Sequence, residues 1–425
     1  MKKTLLVLTL CIVIAAMSAV ICSADEVIME SPNVKIIIDG EIGTYDDVPI
    51  IVSGRTLLPF RAILVNLGVP DDDEHIIWNP DDSSVTVVKE VNGVNKKIYL
   101  QIGNNIALIN GVEEELDVAP MLYNSRTYIP ARFIAQALDK KVVWDGSFNA
   151  VLIRDEKDYN EIKEILDRYD SAMLAINKYK TVGDMDIKMS IGDLGTTDMK
   201  TQFEGEVDYN NTLVHMNINM DMDLSSIQET PEALSNMDMN IEAYYTKEAY
   251  YMNMKMNLPE TEDLNIPTMD QWIKISYPEG LGEMMFEKSS VLSAYQNLGM
   301  NEAICAGMTI DETLSDENTI VLKGDVYLQE IFNQTLQMQN NPQLQGVTFE
   351  VNKAYMEMYI DKNTYLITKS KAIFDMGLSA EGQTIQYQID ANYEYTDYNG
   401  DFEVVLPEEI NNATEMTDLT NDISE

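Results

Sequence analysis

Cysteine is nearly missing from this chain. Of three in 425 residues, Cys11 and Cys22 lie in the apolar N-terminal region and only Cys305 falls beyond it, so no intramolecular disulfide is expected in the mature protein. Histidine is scarcer, with His75 and His215 the two copies. A site built from several imidazole ligands cannot be assembled within one molecule. Positive charge is also short: 29 Lys and Arg stand against 71 Asp and Glu, a net charge of -42. Such a chain repels nucleic acid and acidic cell surfaces, and no basic cluster offsets this locally. After the N-terminal run there is no second stretch of eighteen apolar residues, so no transmembrane span is expected in the mature chain. The patterns Gly-x-Ser-x-Gly, His-Glu-x-x-His and the Gly-rich phosphate loop are all missing. Carboxylate pairs are too many in so acidic a chain to mark a catalytic pair. The expectation is a protein that is not an enzyme, with no catalytic residues, no cofactor and no metal ligands. Calcium is weighed at Pro70-Asp-Asp-Asp-Glu74 and Asn79-Pro-Asp-Asp82, which lack the ligand spacing of a helix–loop–helix calcium loop, against a plain solvated acidic surface.

What is present begins with Lys2-Lys3, an apolar run from Leu5 to Ala16, and Cys22-Ser-Ala24 ahead of Asp25-Glu26. These are the three parts of a secretory signal peptide, with cleavage expected after Ala24. Lipidation at Cys22 is the rival reading, disfavoured by Val20-Ile21, where a small residue is wanted. The mature chain is expected to be secreted or associated with a bacterial cell envelope.

The stretch Gly54-Arg-Thr-Leu-Leu-Pro-Phe-Arg-Ala-Ile63 recurs 71 positions later as Ser125-Arg-Thr-Tyr-Ile-Pro-Ala-Arg-Phe-Ile134. The same offset carries Gly40 onto Gly111 and Pro49 onto Pro120, so a whole module is duplicated. Each copy reads as a hairpin about Asp39-Gly40 or Asn110-Gly111, a short amphipathic helix after the Pro, and a second hairpin carrying Trp78 or Trp144. The tandem pattern resembles the copper amine oxidase N-terminal-like (stalk) domain over residues 31–154, with repeats 31–90 and 101–154. In that family the copper lies in a separate catalytic domain, so the resemblance implies a structural module. Seventy residues bury a marginal core, so the copies are expected to share one. Arg61 and Arg132 are expected to hold carbonyls or an acidic neighbour. The rival role for Arg and Trp is cell-wall binding.

Residues 155–180 change period: Tyr159, Ile162, Ile165, Leu166, Tyr169, Met173 and Ile176 recur at helical spacing. A domain boundary is expected in the charged run near Asp155–Asn160. From Val182 onward apolar residues alternate with polar ones over long runs, the signature of strands with one wet face. Strands are expected at 185–191, 214–224, 237–243, 252–258, 319–322, 349–360, 366–374, 384–395 and 402–405. Helices are expected at Ser289–Leu298 and Val326–Met338. The order of elements and the closing Tyr395-Thr-Asp-Tyr-Asn-Gly-Asp-Phe-Glu-Val-Val-Leu-Pro407 resemble LolA-like and LppX-like lipoprotein-carrier domains over residues 156–410, with an acidic tail at 411–425. The fold class expected is therefore α+β, a duplicated hairpin and helix module followed by a curved antiparallel half-barrel sheet covered by helices.

Methionine is abundant, 26 residues, and much of it falls on the alternating runs. The resemblance implies that the inward positions line an apolar cavity. The candidate ligand-binding residues are Met216, Ile218, Met220, Met222, Met237, Met239, Met252, Met254, Met256, Met356 and Met358, with Val326–Met338 as a lid. Three readings stay open: Met as ordinary core, Met as a pliable wall for a lipid or other apolar ligand, and thioether ligation of Cu(I). His215 and Met216 are strand neighbours and face opposite sides, so they do not share a site. The overall expectation is a non-enzymatic binding protein whose stalk presents a half-barrel for an apolar ligand. A purely structural or adhesive cell-wall-associated protein and Met-based Cu(I) binding are the alternatives.

Overall fold

The computed structural model describes residues 28–43, 47–145, 150–227, 230, 235–257, 271–277, 282, 286–288, 304–305, 307–326, 347–380 and 383–415. The expected signal peptide, the last ten residues of the acidic tail, the helix at 289–298 and all but Val326 of the helix at 326–338 lie outside these residues. The chain forms two compact units: residues 1–34 with 44–139, and 35–43 with 140–425.

In the first unit, β1 (Ile28–Glu30), β4 (Ile50–Val52), β5 (Arg55–Pro59), β12 (Arg126–Pro130) and β11 (Met121–Tyr123) form one sheet in that order. A second sheet runs β6 (Ile76–Asn79), β7 (Ser84–Val91), β8 (Val94–Gln101), β9 (Ile106–Ile109) and β10 (Val112–Glu115). The repeated Arg-Thr motif starts a strand in each copy, because Ser53-Gly54 and Asn124-Ser125 take positive φ and turn the chain into a two-residue hairpin. Pro59 and Pro130 then cap the short helices α1 (Phe60–Asn66) and α2 (Ala131–Ala137). Gly68 at φ 75° and Asp139 at φ 58° lead out of them. Leu57, Leu58, Ile63, Leu64, Ile129 and Ile134 are fully buried, so the two copies share their core. The motif residues β5 and β12 pair with each other across the repeat.

The expected site at Arg61 and Arg132 divides unequally. Arg61 pairs with Asp71 and packs by Phe60. Arg132 is exposed, and Asp117, whose carboxyl is held below its usual range, takes its hydrogen bond from Arg55 with Arg132 adding a minor pull. The acidic stretches weighed for calcium are occupied by local turns. Asp72 accepts the Glu74 and His75 amides and faces His75 Nδ1 at 2.8 Å, and Asp82 accepts from Ser84 Oγ at 2.7 Å.

The second unit joins the first hairpin of copy one to the last hairpin of copy two. β2 (Lys35–Ile38) pairs in parallel with β14 (Ala150–Asp155), flanked by β3 (Glu41–Ile42) and β13 (Lys140–Asp145). The division between the two compact units falls at Asp139/Lys140, ahead of the charged run at 154–160. That run is not a solvated linker. Arg154 is 4% exposed and donates from Nη1 to the carbonyls of Cys305 and Met308, while Asp155 caps α3 (Glu156–Ala175) by accepting the Lys157 amide at 2.9 Å.

Twelve strands build the large sheet in the order β21 (Met308–Ile310), β22 (Thr319–Asp325), β23 (Thr348–Asp361), β24 (Ile367–Ala380), β25 (Gln383–Thr396), β15 (Lys178–Ile191), β16 (Gly195–Asp208), β17 (Leu213–Asp223), β18 (Asn236–Tyr245), β19 (Ala249–Asn257), β20 (Trp272–Ser276) and β26 (Thr414–Glu415). The sheet curls as a half-barrel and the fold is α+β. Ile162, Ile165 and Leu166 of α3 bury with Leu152, Met308, Leu322, Ala354, Met358 and Ile360. The helical stripe thus covers the β22–β24 end of the sheet. Residues 402–405 do not form the expected strand. Phe402 and Val404 pack with Leu213, Tyr244 and Ile410, and Lys178 Nζ donates to the Phe402 carbonyl at 2.7 Å, so side chains rather than a ladder anchor this segment.

Candidate functional site

Period-two alternation puts all residues of one parity on one face, and the antiparallel register decides which of them meet. One row of direct partners runs Ala372, Ala391, Met185, Thr201, Met220, Met239, Met256 from β24 to β19. The next row toward one end runs Phe374, Ile389, Ile187, Met199, Met222, Met237. Toward the other end lie Tyr393, Gly183, Phe203, Ile218, Ile241, Met254, and beyond them Met216, Ala243, Met252 and Ile273. Nine of the eleven candidates, Met216 to Met256, therefore share one continuous apolar face of β17–β19. Met356 and Met358 are on β23, opposite Ala372 and Ser370.

Burial divides this face. At the β22–β24 end, under α3, Ala354, Met358 and Ile360 are buried. Across β17–β19 the Met and Ile positions are only half-buried, although their row neighbours are apolar apart from Thr201. Thr201 sits among them, 4% exposed, and among the described residues its Oγ1 has no hydrogen-bond partner, as is also true of Thr181 Oγ1 nearer the aromatic end. A buried hydroxyl without a partner is costly. At the aromatic end the Phe203 ring lies over Gly183, where a Cβ would come within 2.4 Å of Phe203 Cζ, and stands 5.2 Å from the Tyr393 ring. Burial pushes the Tyr169, Tyr179, Tyr395 and Tyr398 phenols up.

The opposite face is wet, as its polar alternation requires. Asn240 Nδ2 donates to Asn217 and Asn219 at 2.9 Å each, and Asn392 donates to Asp184 at 3.0 Å. His215 is on this face, stacked on Tyr244 and between Glu206 at 3.6 Å and Glu242 at 3.5 Å, away from Met216. A cleft of about 490 Å³ is bordered by Ile187, Met199, Phe374 and Ile389 together with Lys200 and Asp390. Its size suits a small ligand. A second, of about 540 Å³, is polar, with Asp184, Gln202, Asn217 and Asn392 in its wall. None of the eleven candidates borders either cleft. Sequence reasoning missed the residues around the first as site residues: Ile187, Phe374 and Ile389 on β15, β24 and β25, and Met199 on β16, whose face carries Thr, Gly and one Phe and shows little apolar alternation. Among the described residues no three His, Cys, Asp or Glu side chains gather to hold a metal ion. No helix among them is long and apolar enough to cross a membrane.

Comparison with known proteins adds the following. The copper amine oxidase N-terminal domain pattern matches residues 37–153. No curated protein is a significant match. Among solved structures, the lipoprotein LppX of Mycobacterium tuberculosis aligns at 9% identity and a TM-score of 0.23, over 58% of this chain and 99% of that one. A β-barrel-like protein of the DUF1849 group from Brucella abortus aligns at 9% identity and a TM-score of 0.23, over 52% and 100%. The LolA superfamily protein NE2245 of Nitrosomonas europaea aligns at 9% identity and a TM-score of 0.16, over 59% and 96%. Residues 161–415, more than half of the chain and every strand of the large sheet, match the pattern of a further group, and on that match the chain belongs to DUF6612, a family of unknown function.

Proposed function

We propose that the large sheet is the binding element of an exported, non-catalytic carrier, and that its half-barrel holds an elongated apolar ligand of the fatty acyl class. The observation that carries this reading is the contrast along one face: buried where α3 covers it, half-buried and still apolar across β17–β19. The row from Ala372 to Met256 crosses six inter-strand gaps, roughly 29 Å at about 4.8 Å each, ample for an extended acyl chain. Thioether side chains suit such a wall because they are pliable and polarizable. Thr201 Oγ1 supplies a polar point within the face, of the kind that fixes a ligand's register. Of the eleven candidates, the nine from Met216 to Met256 are assigned here as lining, while Met358 packs in the cluster that α3 closes with Met356 against it, and the duplicated module is assigned as a stalk. Export, through the N-terminal apolar run, is part of the same proposal.

The test is native mass spectrometry and organic extraction of the full mature chain, with uptake of a fluorescent fatty acid by the extracted protein. Ile218→Asp places a charge on the face and is expected to abolish uptake while the far-ultraviolet circular dichroism is kept. Asp221→Asn, on the wet face, is expected to leave uptake unchanged. No co-purifying lipid and no uptake by the parent protein would favour a structural, wall-associated role.

A further inference from the structure

The register brings together what the sequence leaves apart. Met220-x-Met222 on β17 and Met237-x-Met239 on β18 are 15 residues apart at their nearest ends, yet Met220 is the direct partner of Met239 and Met222 of Met237. The four form a rectangle on one face. Its sides are about 5 Å across the strands and roughly 6.8 Å along them, which puts each Cβ about 4 Å from the centre. A methionine sulfur stands two bonds beyond Cβ, so four thioethers reach a common point above that centre without moving the backbone. Met199, opposite Met222, and Met256, opposite Met239, extend the array to six. Every one of the six is half-buried, and so within reach of solutes.

The charge behind the rectangle has the matching sign. Asp221 lies between Met220 and Met222, Asp238 lies between Met237 and Met239, and the two aspartates are themselves direct partners on the wet face. Like charges directly opposite are unfavourable in a sheet, and Lys200, opposite Asp221, offsets one of them. The field through the sheet at the thioether centre favours a cation.

We propose that Met220, Met222, Met237 and Met239 form a binding site for a soft monovalent cation, Cu(I) or its analogue Ag(I). Thioethers are neutral, soft donors that suit this class and hold Zn²⁺, Ca²⁺ or Mg²⁺ poorly. The site stands apart from the acyl-ligand reading, because it needs the sulfur atoms and not merely the apolar surface they cover.

Methionine to leucine changes separate the two, since volume and apolarity are kept and the donor is removed. The full mature chain is titrated with Cu(I) under anaerobic reducing conditions in competition with bicinchoninate, and with Ag(I) while the methionine methyl carbon resonances are followed. The parent is expected to withdraw one Cu(I) from the chelator, with the methyl signals of the four residues moving first. The double variant Met220→Leu/Met237→Leu is expected to lose at least the roughly tenfold in affinity that changes around a metal site cost, and Met356→Leu/Met358→Leu to bind as the parent does. A parent that leaves Cu(I) with bicinchoninate, Ag(I) shifts confined to other methionines, or a Met220→Leu/Met237→Leu variant that binds as tightly as the parent would each overturn the site.

Discussion

Leu58 and Ile129, equivalent residues in the two sequence repeats, are direct cross-strand partners, both fully buried. The flanking pairs are reciprocal: Leu57 meets Pro130 and Pro59 meets Tyr128, and each of these is the other's equivalent under the offset of 71. The duplicated halves therefore pair as an isologous dimer does, about a local twofold axis between Leu58 and Ile129. Duplication here serves closure, since neither half-sheet has a partner for its motif strand without the other.

Truncation at this axis should be felt in both repeats. Leu58→Ala and Ile129→Ala are each expected to cost about 2–5 kcal/mol, as buried Leu or Ile to Ala does. The double variant should depart from additivity by at least about 0.5 kcal/mol because the residues are in contact. Urea-dependent hydrogen exchange of the peptides covering 55–59 and 126–130 reads it, and independent responses of the two peptides would refute the shared core.

Arg154 offers a second prediction. Its Nη1 serves two backbone carbonyls, Cys305 and Met308, from a position where burial lowers its affinity for the proton and Asp39 counters that. Each hydrogen bond from a charged donor is worth about 1.5–3 kcal/mol. Arg154→Ala is expected to destabilise the second unit and to speed reaction of the buried Cys305 thiol with a disulfide reagent, with Arg154→Lys restoring part of both. Unchanged thiol reactivity in Arg154→Ala would remove this residue from the core's support.

Gly183 provides the third. A Cβ there would come within 2.4 Å of Phe203 Cζ and 2.3 Å of the Asn392 carbonyl oxygen. Phe203 fills the space a side chain would need, so Gly183→Ala overpacks the face and is expected to cost at least about 1–3 kcal/mol in urea unfolding. Adding Phe203→Leu should recover part of the loss, because a flexible side chain yields where the Asn392 backbone does not. Full tolerance of Gly183→Ala would mean that the ring lies elsewhere.

The sequence made some of this plain and hid the rest for physical reasons. Asp39-Gly40 and Asn110-Gly111 announced their hairpins because few residues accept positive φ, and the long Met and Ile alternations of β17–β19 announced strands with one apolar face. β16 was not legible, since Thr197, Thr201 and Gly205 on its inner face carry almost no hydrophobic signal although they are buried. Arg154 was hidden in the opposite way: beside Asp155, Glu156 and Lys157 it reads as solvated, and only the fold shows it turned inward. Phe402 to Val405 has strand composition, yet Phe402 and Val404 pack with Leu213, Tyr244 and Ile410 outside any ladder. The direct meeting of the two Met-x-Met pairs depends on register, which the loop between β17 and β18 sets and alternation alone does not. The apolar face that carries nine of the candidates was thus legible residue by residue, while its β16 neighbours were not.

Acid should weaken the large sheet through Asp208. Burial raises the pKa of this carboxyl, but Lys178 at 3.1 Å and the Asn211 amides more than offset it, so the folded value lies below the ordinary 3.8. As the pH falls below 3.8 the unfolded chain takes up the proton first, so the stabilisation is complete above that value and is lost as the pH drops through the folded one. Asp311, held low by Lys323 and Thr313, acts in the same direction. Urea midpoints measured from about pH 5 to pH 2 should fall less steeply in Asp208→Asn than in the parent. Equal slopes would show that Asp208 titrates alike in both states.

The two ends of the apolar face should answer truncation differently. Met358 is 5% exposed within the cluster that α3 closes, alongside Ile360 and Ala354. Met220, on the same face, is half-buried between Thr201 and Met239. Removing a packed side chain forfeits its transfer free energy and leaves a cavity, about 2–5 kcal/mol for Met→Ala. A wall beside open space loses few contacts, and no new cavity is enclosed. Met358→Ala is therefore expected to fall within that range, and Met220→Ala below about 2 kcal/mol, the foot of it. Ligand uptake should show the reverse order, with Met220→Ala and Met254→Ala changing the capacity for a fluorescent fatty acid and Met358→Ala leaving it intact. Equal stability losses at 220 and 358, with no uptake by the parent, would make the β17–β19 face a solid core and leave the protein without a carrier's pocket.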